Sequence, residues 1–254
     1  MDLSPLTIAI LTLVALVAGL IDAIAGGGGL LTVPALLSTN IDTAYVLGTN
    51  KGNAVFGSGS ALARFWHAKL IDRTRAPALF ALGFFGAIGG ASLATIIDPK
   101  ILRPVALVLL VAAGITVAFV RPRPVEGATP SPGASTKMLI LALVIGTYDG
   151  FFGPGTGTFL IIGFVMLLRF SMQEASANAK VVNFASNLGA LVVFAFRGLV
   201  IWKVSIPMAV GQLIGGIIGA QLAVKRGDHL VKRVVLVVVI GLVARLTYQL
   251  VTGG

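Results

Sequence analysis

Apolar residues follow one another along this chain in runs close to the ~20 residues that cross a bilayer as a helix, separated by short polar or basic segments. Helices placed on these runs cover 5–24, 30–38, 43–66, 76–96 and 102–120, then 138–151, 156–169, 174–197, 204–224 and 230–250. The first two are divided by Gly26-Gly27-Gly28-Gly29. Glycine is worse than alanine in a helix by about 1 kcal/mol per residue, so four in a row predict an unwound segment. A second break stands at Gly153-Pro154-Gly155-Thr156-Gly157. Non-helical backbone inside lipid is tolerated only where protein buries it or a cavity receives it. Both breaks are therefore expected to be buried, near the midplane, at a site. Paired interruptions in corresponding halves are the pattern that marks solute sites in membrane proteins.

The halves do correspond. At an offset that drifts from 127 to 129, Asp22 falls on Asp149, Lys51 on Lys180, Gly86 on Gly215 and Gly90 on Gly219. This predicts an internal duplication: a membrane repeat over 1–120, a Pro- and Ser-rich cytoplasmic linker over 121–137, and a second repeat over 138–254. The paired glycines suit close helix packing. Basic residues outside the helices set the orientation, because cytoplasmic loops are enriched in them. Inverted repeats place 12 on one side and 5 on the other, parallel repeats 10 and 7. The inverted arrangement, with both termini outside, is the better fit. The fold class expected is an all-α polytopic membrane protein built from two inverted helical repeats with broken helices.

Composition agrees with that class. Of 254 residues, 57% are hydrophobic and 11% charged, with mean hydropathy +1.00, whereas soluble domains carry about 25% charged residues. The net charge of +10 resides mostly in loops and has no interleaved stacking aromatics, which excludes a nucleic-acid surface. With no cysteine, disulfides and thiolate metal sites are excluded. His67 and His229 lie at helix ends without paired ligands, so neither metal nor cofactor is expected. Gly26–Gly29 lacks the Gly-Lys-Ser/Thr ending of a phosphate loop, and no ATP-driven pump or enzyme is expected.

The chemistry is concentrated in the two helices that carry lysine. Thr49-Asn50-Lys51-Gly52-Asn53 has no acid within a turn of the lysine. In the second half Ser176, Lys180, Asn183 and Asn187 share one helix face, with Asn178 nearby. A lysine at membrane depth costs about 2.5–3.5 kcal/mol and usually faces a cavity or a partner, unless it snorkels to the surface. An ammonium among amide and hydroxyl donors suits an oxyanion, and helix N-termini at the breaks add their dipoles. The substrate-binding candidates are thus Lys51, Lys180, Thr49, Asn50, Asn53, Asn178, Asn183 and Asn187. Gly27, Gly28, Gly155, Thr156 and Thr158 join them from the breaks, the threonines alternatively as plain helix caps. Asp22 and Asp149, just before the breaks, are candidates for ion or proton coupling. They could equally pair with the lysines or cap the half-helices that follow.

At Ala25-Gly26-Gly27-Gly28-Gly29-Leu30, Thr49-Asn50-Lys51, Tyr148-Asp149-Gly150-Phe151-Phe152-Gly153-Pro154-Gly155-Thr156-Gly157 and Ala179-Lys180 the chain resembles the TauE/SafE family of sulfite-exporter-like membrane proteins (the TSUP transporters), its YfcA-like branch in particular. The resemblance spans nearly the whole chain. It implies a multi-pass permease of the bacterial inner membrane for small sulfur-containing or carboxylate anions such as sulfite or organosulfonates. The function expected is secondary anion transport by alternating access. An anion channel and a membrane scaffold without flux are the alternatives.

Overall fold

The structure is a computed structural model and describes residues 3–119 and 134–226. The helix expected over 230–250 and most of the 121–137 segment lie outside the described residues; 134–137 are part of a helix. Nine helices make up the described chain, with no strand among them. They are α1 (Pro5–Ala25), α2 (Gly29–Leu37), α3 (Thr43–His67), α4 (Ala76–Ile96), α5 (Pro99–Phe119), α6 (Ala134–Phe151), α7 (Thr156–Leu168), α8 (Met172–Phe196) and α9 (Trp202–Arg226).

Local chemistry sets several helix ends. At α1, Ser4 accepts a hydrogen bond from the Thr7 N–H and Pro5 takes the first helical position, where its missing N–H costs nothing. At α8, Ser171 and Glu174 form a reciprocal capping box. α1 stops at Gly26, which is left-handed at φ +79°, a conformation glycine adopts without penalty. Residues 26–28 are the first break. The second runs from Phe152 to Gly155, with Gly153 and Gly155 at φ +104° and +87°. Gly29 and Gly157, expected to be unwound, instead belong to the first turns of α2 and α7. A helix whose N-terminus has glycine just outside it needs no further glycine to unwind.

Four helices, α1, α4, α8 and α9, are long and apolar enough to span a bilayer. Large apolar side chains such as Leu6, Leu13, Phe85, Val108 and Ile206 are exposed on the outside of the bundle. Water would not tolerate so much apolar surface, and lipid would. Inside, polar residues lie among apolar ones: Lys51, Asn50, Asn53, Asp149, Lys180, Asn183 and Asn187 are all buried.

Glycine stripes bring α4 onto α6 and α9 onto α1. A methyl group on Gly86 would touch the Leu143 carbonyl and Thr147, and one on Gly90 would overlap the Thr147 carbonyl at 2.0 Å. On the other side, a methyl group on Gly215 would stand 2.0 Å from the Leu16 carbonyl oxygen and one on Gly219 2.3 Å from that of Leu20. Leu143 and Thr147 stand 127 residues after Leu16 and Leu20. The two crossings thus use corresponding positions, and in each one a helix from one half packs on a helix from the other. Bare glycine faces let the backbones approach this closely.

Candidate functional site

The two breaks meet. Gly26 lies so close to Gly157 that a Cβ on Gly26 would stand 2.2 Å from the Gly157 carbonyl carbon. The Thr158 N–H donates to the Gly26 carbonyl (3.2 Å), and the Thr158 hydroxyl donates to the Ala25 carbonyl (2.8 Å). The end of α1, which has no intrahelical donors left for its carbonyls, is satisfied by the start of α7. The Ser176 hydroxyl adds a bond to the Ile24 carbonyl (3.1 Å).

Around this clasp stand two ion pairs, each joining the halves. Lys51 on α3 donates to Asp149 Oδ1 on α6 at 2.8 Å, and Lys180 on α8 donates to Asp22 Oδ2 on α1 at 2.7 Å. The sequence left three roles open for the aspartates, and the structure pairs each with the lysine of the opposite half. Asp22 also accepts from the Gly28 N–H (3.3 Å) at the N-terminus of α2, so it caps as well as pairs. Asp149 is surrounded more closely. The Thr156 hydroxyl lies 2.9 Å from its Oδ1, Ser186 donates to its Oδ2, and Lys51 makes a second bond to Asn187 Oδ1 at 3.1 Å.

Asp22, Gly28, Asn50, Lys51, Asp149, Asn183 and Asn187 line one central cavity of about 20 Å³, together with Gly26, Gly29, Ala54, Gly153, Gly157 and Gln212. That volume holds about one water molecule. The wall carries one ammonium, two carboxylates and four carboxamides. Asn50 accepts from the Thr32 hydroxyl (2.6 Å), and Asn183 Oδ1 is buried with no hydrogen-bond partner among the described residues. No cluster of three His, Asp or Glu side chains that could hold a metal occurs among the described residues.

The other expected residues stand behind this wall. Lys180 is fully buried on the far side of Asp22. The Thr49 hydroxyl accepts from the Ile201 N–H (3.0 Å), which ties α3 to the segment just before α9, and Asn53 donates within α3 to the Thr49 carbonyl (3.0 Å). Asn178 accepts from the Asp72 N–H (3.0 Å) and donates to the Glu174 carbonyl (2.9 Å), which anchors the α3–α4 loop on α8. The Gly27 carbonyl accepts from the Leu30 N–H, and Gly155 caps α7 against Phe159 and Ala113. Thr156 and Thr158 brace, one holding Asp149 and the other the clasp. Sequence reasoning missed Gln212, Ser186 and Thr32. Ser186 lies three residues after Asn183 on the face already singled out, and Gln212 is one of three polar residues, with Ser205 and Gln221, in the 204–224 run; both were findable.

Comparison with known proteins agrees with this architecture. Residues 11–246 match the family model described as "Sulfite exporter TauE/SafE". The chain belongs to the TauE/SafE family. It is 40% identical over 251 residues to "Probable membrane transporter protein ORF9" of Sinorhizobium sp., covering 96% of this chain and 94% of that one. It is 36% identical over 246 residues to "Probable membrane transporter protein YfcA" of Escherichia coli K12, covering 97% and 91%. A "Probable membrane transporter protein" of Haemophilus influenzae is 36% identical over 258 residues, covering 98% of each. No solved structure is a significant match.

Proposed function

We propose that this TauE/SafE-family protein is a secondary transporter of a small anion in the bacterial inner membrane, with sulfite or an organosulfonate as the expected cargo, working by alternating access between two inverted repeats. The observation that carries the proposal is the pair of crossed Lys–Asp bridges around a small cavity where two broken helices meet. The bridges balance in charge, so a bound anion must take an ammonium away from its carboxylate. Anion entry is thereby linked to opening of a bridge, as a transporter requires and a passive pore does not. A 20 Å³ cavity admits no oxyanion until the surrounding helices part, which favours transport over the channel reading. Corresponding glycine crossings on both sides support the repeat, and the names of the relatives support transport.

Counterflow into proteoliposomes, run against sulfite, thiosulfate, sulfoacetate and simple carboxylates, tests this directly. Saturable exchange of one of these anions is expected. Conductance without exchange would favour the channel, and silence across the panel would end the transport reading. Orientation has a separate check, since the chain has no cysteine. Single cysteines placed in 121–133 should label only from the cytoplasm and those at either terminus only from outside. A cytoplasmic C-terminus would mean parallel repeats.

A further inference from the structure

The two bridges occupy corresponding positions in the halves but differ in their surroundings. All three of Lys51, Asp149 and Asp22 line the cavity, but the side chains of Lys51 and Asp149 are 1% and 2% exposed and that of Asp22 is 14% exposed. Asp149 is within reach of three donors (Lys51, Thr156 and Ser186), and Lys51 has a second acceptor in Asn187. Each hydroxyl also has a backbone carbonyl nearby, Gly153 for Thr156 and Asn183 for Ser186, but a charged acceptor makes the stronger bond. Asp22 receives Lys180 on one oxygen and a single long 3.3 Å bond from Gly28 on the other.

This asymmetry is written in the sequence. The residues that the repeat offset pairs with Thr156 and Ser186 are Gly29 and Gly57, which have no side chain to donate. The position paired with Asn187 is Ser58, whose hydroxyl bonds the Ala54 carbonyl of its own helix at 2.8 Å. A proton arriving at Asp149 has to displace a donor. A proton arriving at Asp22 Oδ1 need displace only the weak backbone contact, on a side chain that is the more exposed of the two carboxylates.

We infer that the two bridges do different work: Asp22 is the carboxylate that takes up a proton and releases the Lys180 ammonium toward the anion, while Lys51–Asp149 is a fixed brace that stays paired. This rests on the transport reading above. The charged groups facing Asp22 are Lys180 from α8, Lys51 from α3 and Asp149 from α6 across the cavity. Neither α2 nor α7 contains a titratable residue, and α9 contributes the neutral Gln212 at this level, its Lys203, Lys225 and Arg226 being at its ends.

One measurement needs no cargo. Infrared difference spectra of the purified protein, taken on acidification, should show one buried protonated-carboxyl band. Asp22→Asn should abolish it. The double variant K51M/D149N, which removes both charges of the brace together, should keep it. A band that survives Asp22→Asn, or that vanishes in K51M/D149N, or no buried carboxyl band at all, overturns the assignment. Thiosulfate counterflow supplies the second arm, because that anion does not itself change charge over the acid-to-neutral range. Exchange by the unmodified protein should rise on acidification by at most about tenfold per pH unit, the slope of a single proton site. Asp22→Asn should flatten the profile. An unchanged profile in that variant overturns the inference while leaving transport intact. Absence of exchange for every anion in the panel defeats the transport reading instead, with the infrared result still deciding which carboxylate titrates.

Discussion

Asp149→Asn is expected to destabilise the protein by about 3–5 kcal/mol, the range for breaking a buried ion pair from one side. Lys51 is 1% exposed, and with Asp149 neutral its ammonium retains only the amide oxygens of Asn187 and the new side chain. Thr156 and Ser186 simultaneously lose a charged acceptor and fall back on backbone carbonyls. Against a typical total of about 5–15 kcal/mol, that loss removes a large share of the folded population. The informative comparison is the double variant K51M/D149N. Replacing both members of a buried pair by neutral groups of similar size is often close to harmless, so the double should be more stable than Asp149→Asn alone. Thermal unfolding in detergent measures this; a double variant that melts at or below the single would show that the bridge carries no coupling. A methionine at Lys51 alone, harmless if that lysine snorkelled to the surface, should instead leave the Asp149 carboxylate buried without a cation.

Gly26→Ala is the second change with a large expected effect. The position is left-handed, which costs an L-residue about 1–2 kcal/mol. Its new methyl would stand 2.2 Å from the Gly157 carbonyl carbon and 2.4 Å from the Thr158 nitrogen. Those are backbone atoms, so no rotamer change relieves the overlap, and overpacking adds about 1–3 kcal/mol. The breaks would have to separate, at the expense of the Thr158 bond to Gly26. Gly157→Ala meets Gly26 Cα at 2.4 Å without the dihedral penalty, so it should be milder. Gly89→Ala meets nothing within 4 Å and, in mid-helix, should be neutral or stabilising by about 0.5–1 kcal/mol. Melting temperatures in the order Gly89→Ala highest, Gly157→Ala next and Gly26→Ala lowest are the expected outcome. Equal melting of all three would mean that the clasp bears no load.

The helices were legible because their signals are local. The 76–96 run coincides with α4, and 5–24 differs from α1 by one residue. Five starts came out later than the structure has them, two of these by three residues or more. α5 begins at Pro99 rather than 102, since proline at a first helical position starts a helix instead of ending it. α6 begins at Ala134 rather than 138, since Ser135, Thr136 and Lys137 were assigned to the linker on composition, which says little about a helix's first turn. Within the site, the residues at membrane depth were legible as polar intruders in apolar runs, and six of them do line the cavity. Which lysine meets which aspartate was not. The partners lie 98 and 158 residues apart, and no periodicity on one helix reports the element packed against it. Thr49 and Asn178 misled for the same reason: each is on a polar helix face, and each turns to a loop or a neighbouring helix rather than to the cavity.

The crossed bridges and crossed glycine faces also bear on the order in which the chain is made. Lys51 and Asp22 leave the ribosome long before Asp149 and Lys180 exist, and synthesis proceeds from the N-terminus. Through that interval an ammonium and a carboxylate face the lipid or the insertion machinery without partners, at a cost of several kcal/mol. The bare Gly86 and Gly90 face of α4 likewise waits for α6, and Gly83 for Val182 of α8. The first half is therefore an unfinished object however long it waits, and its completion falls to α6 and α8. Neither half can be expressed alone and complete, because each holds the counter-charge that the other needs.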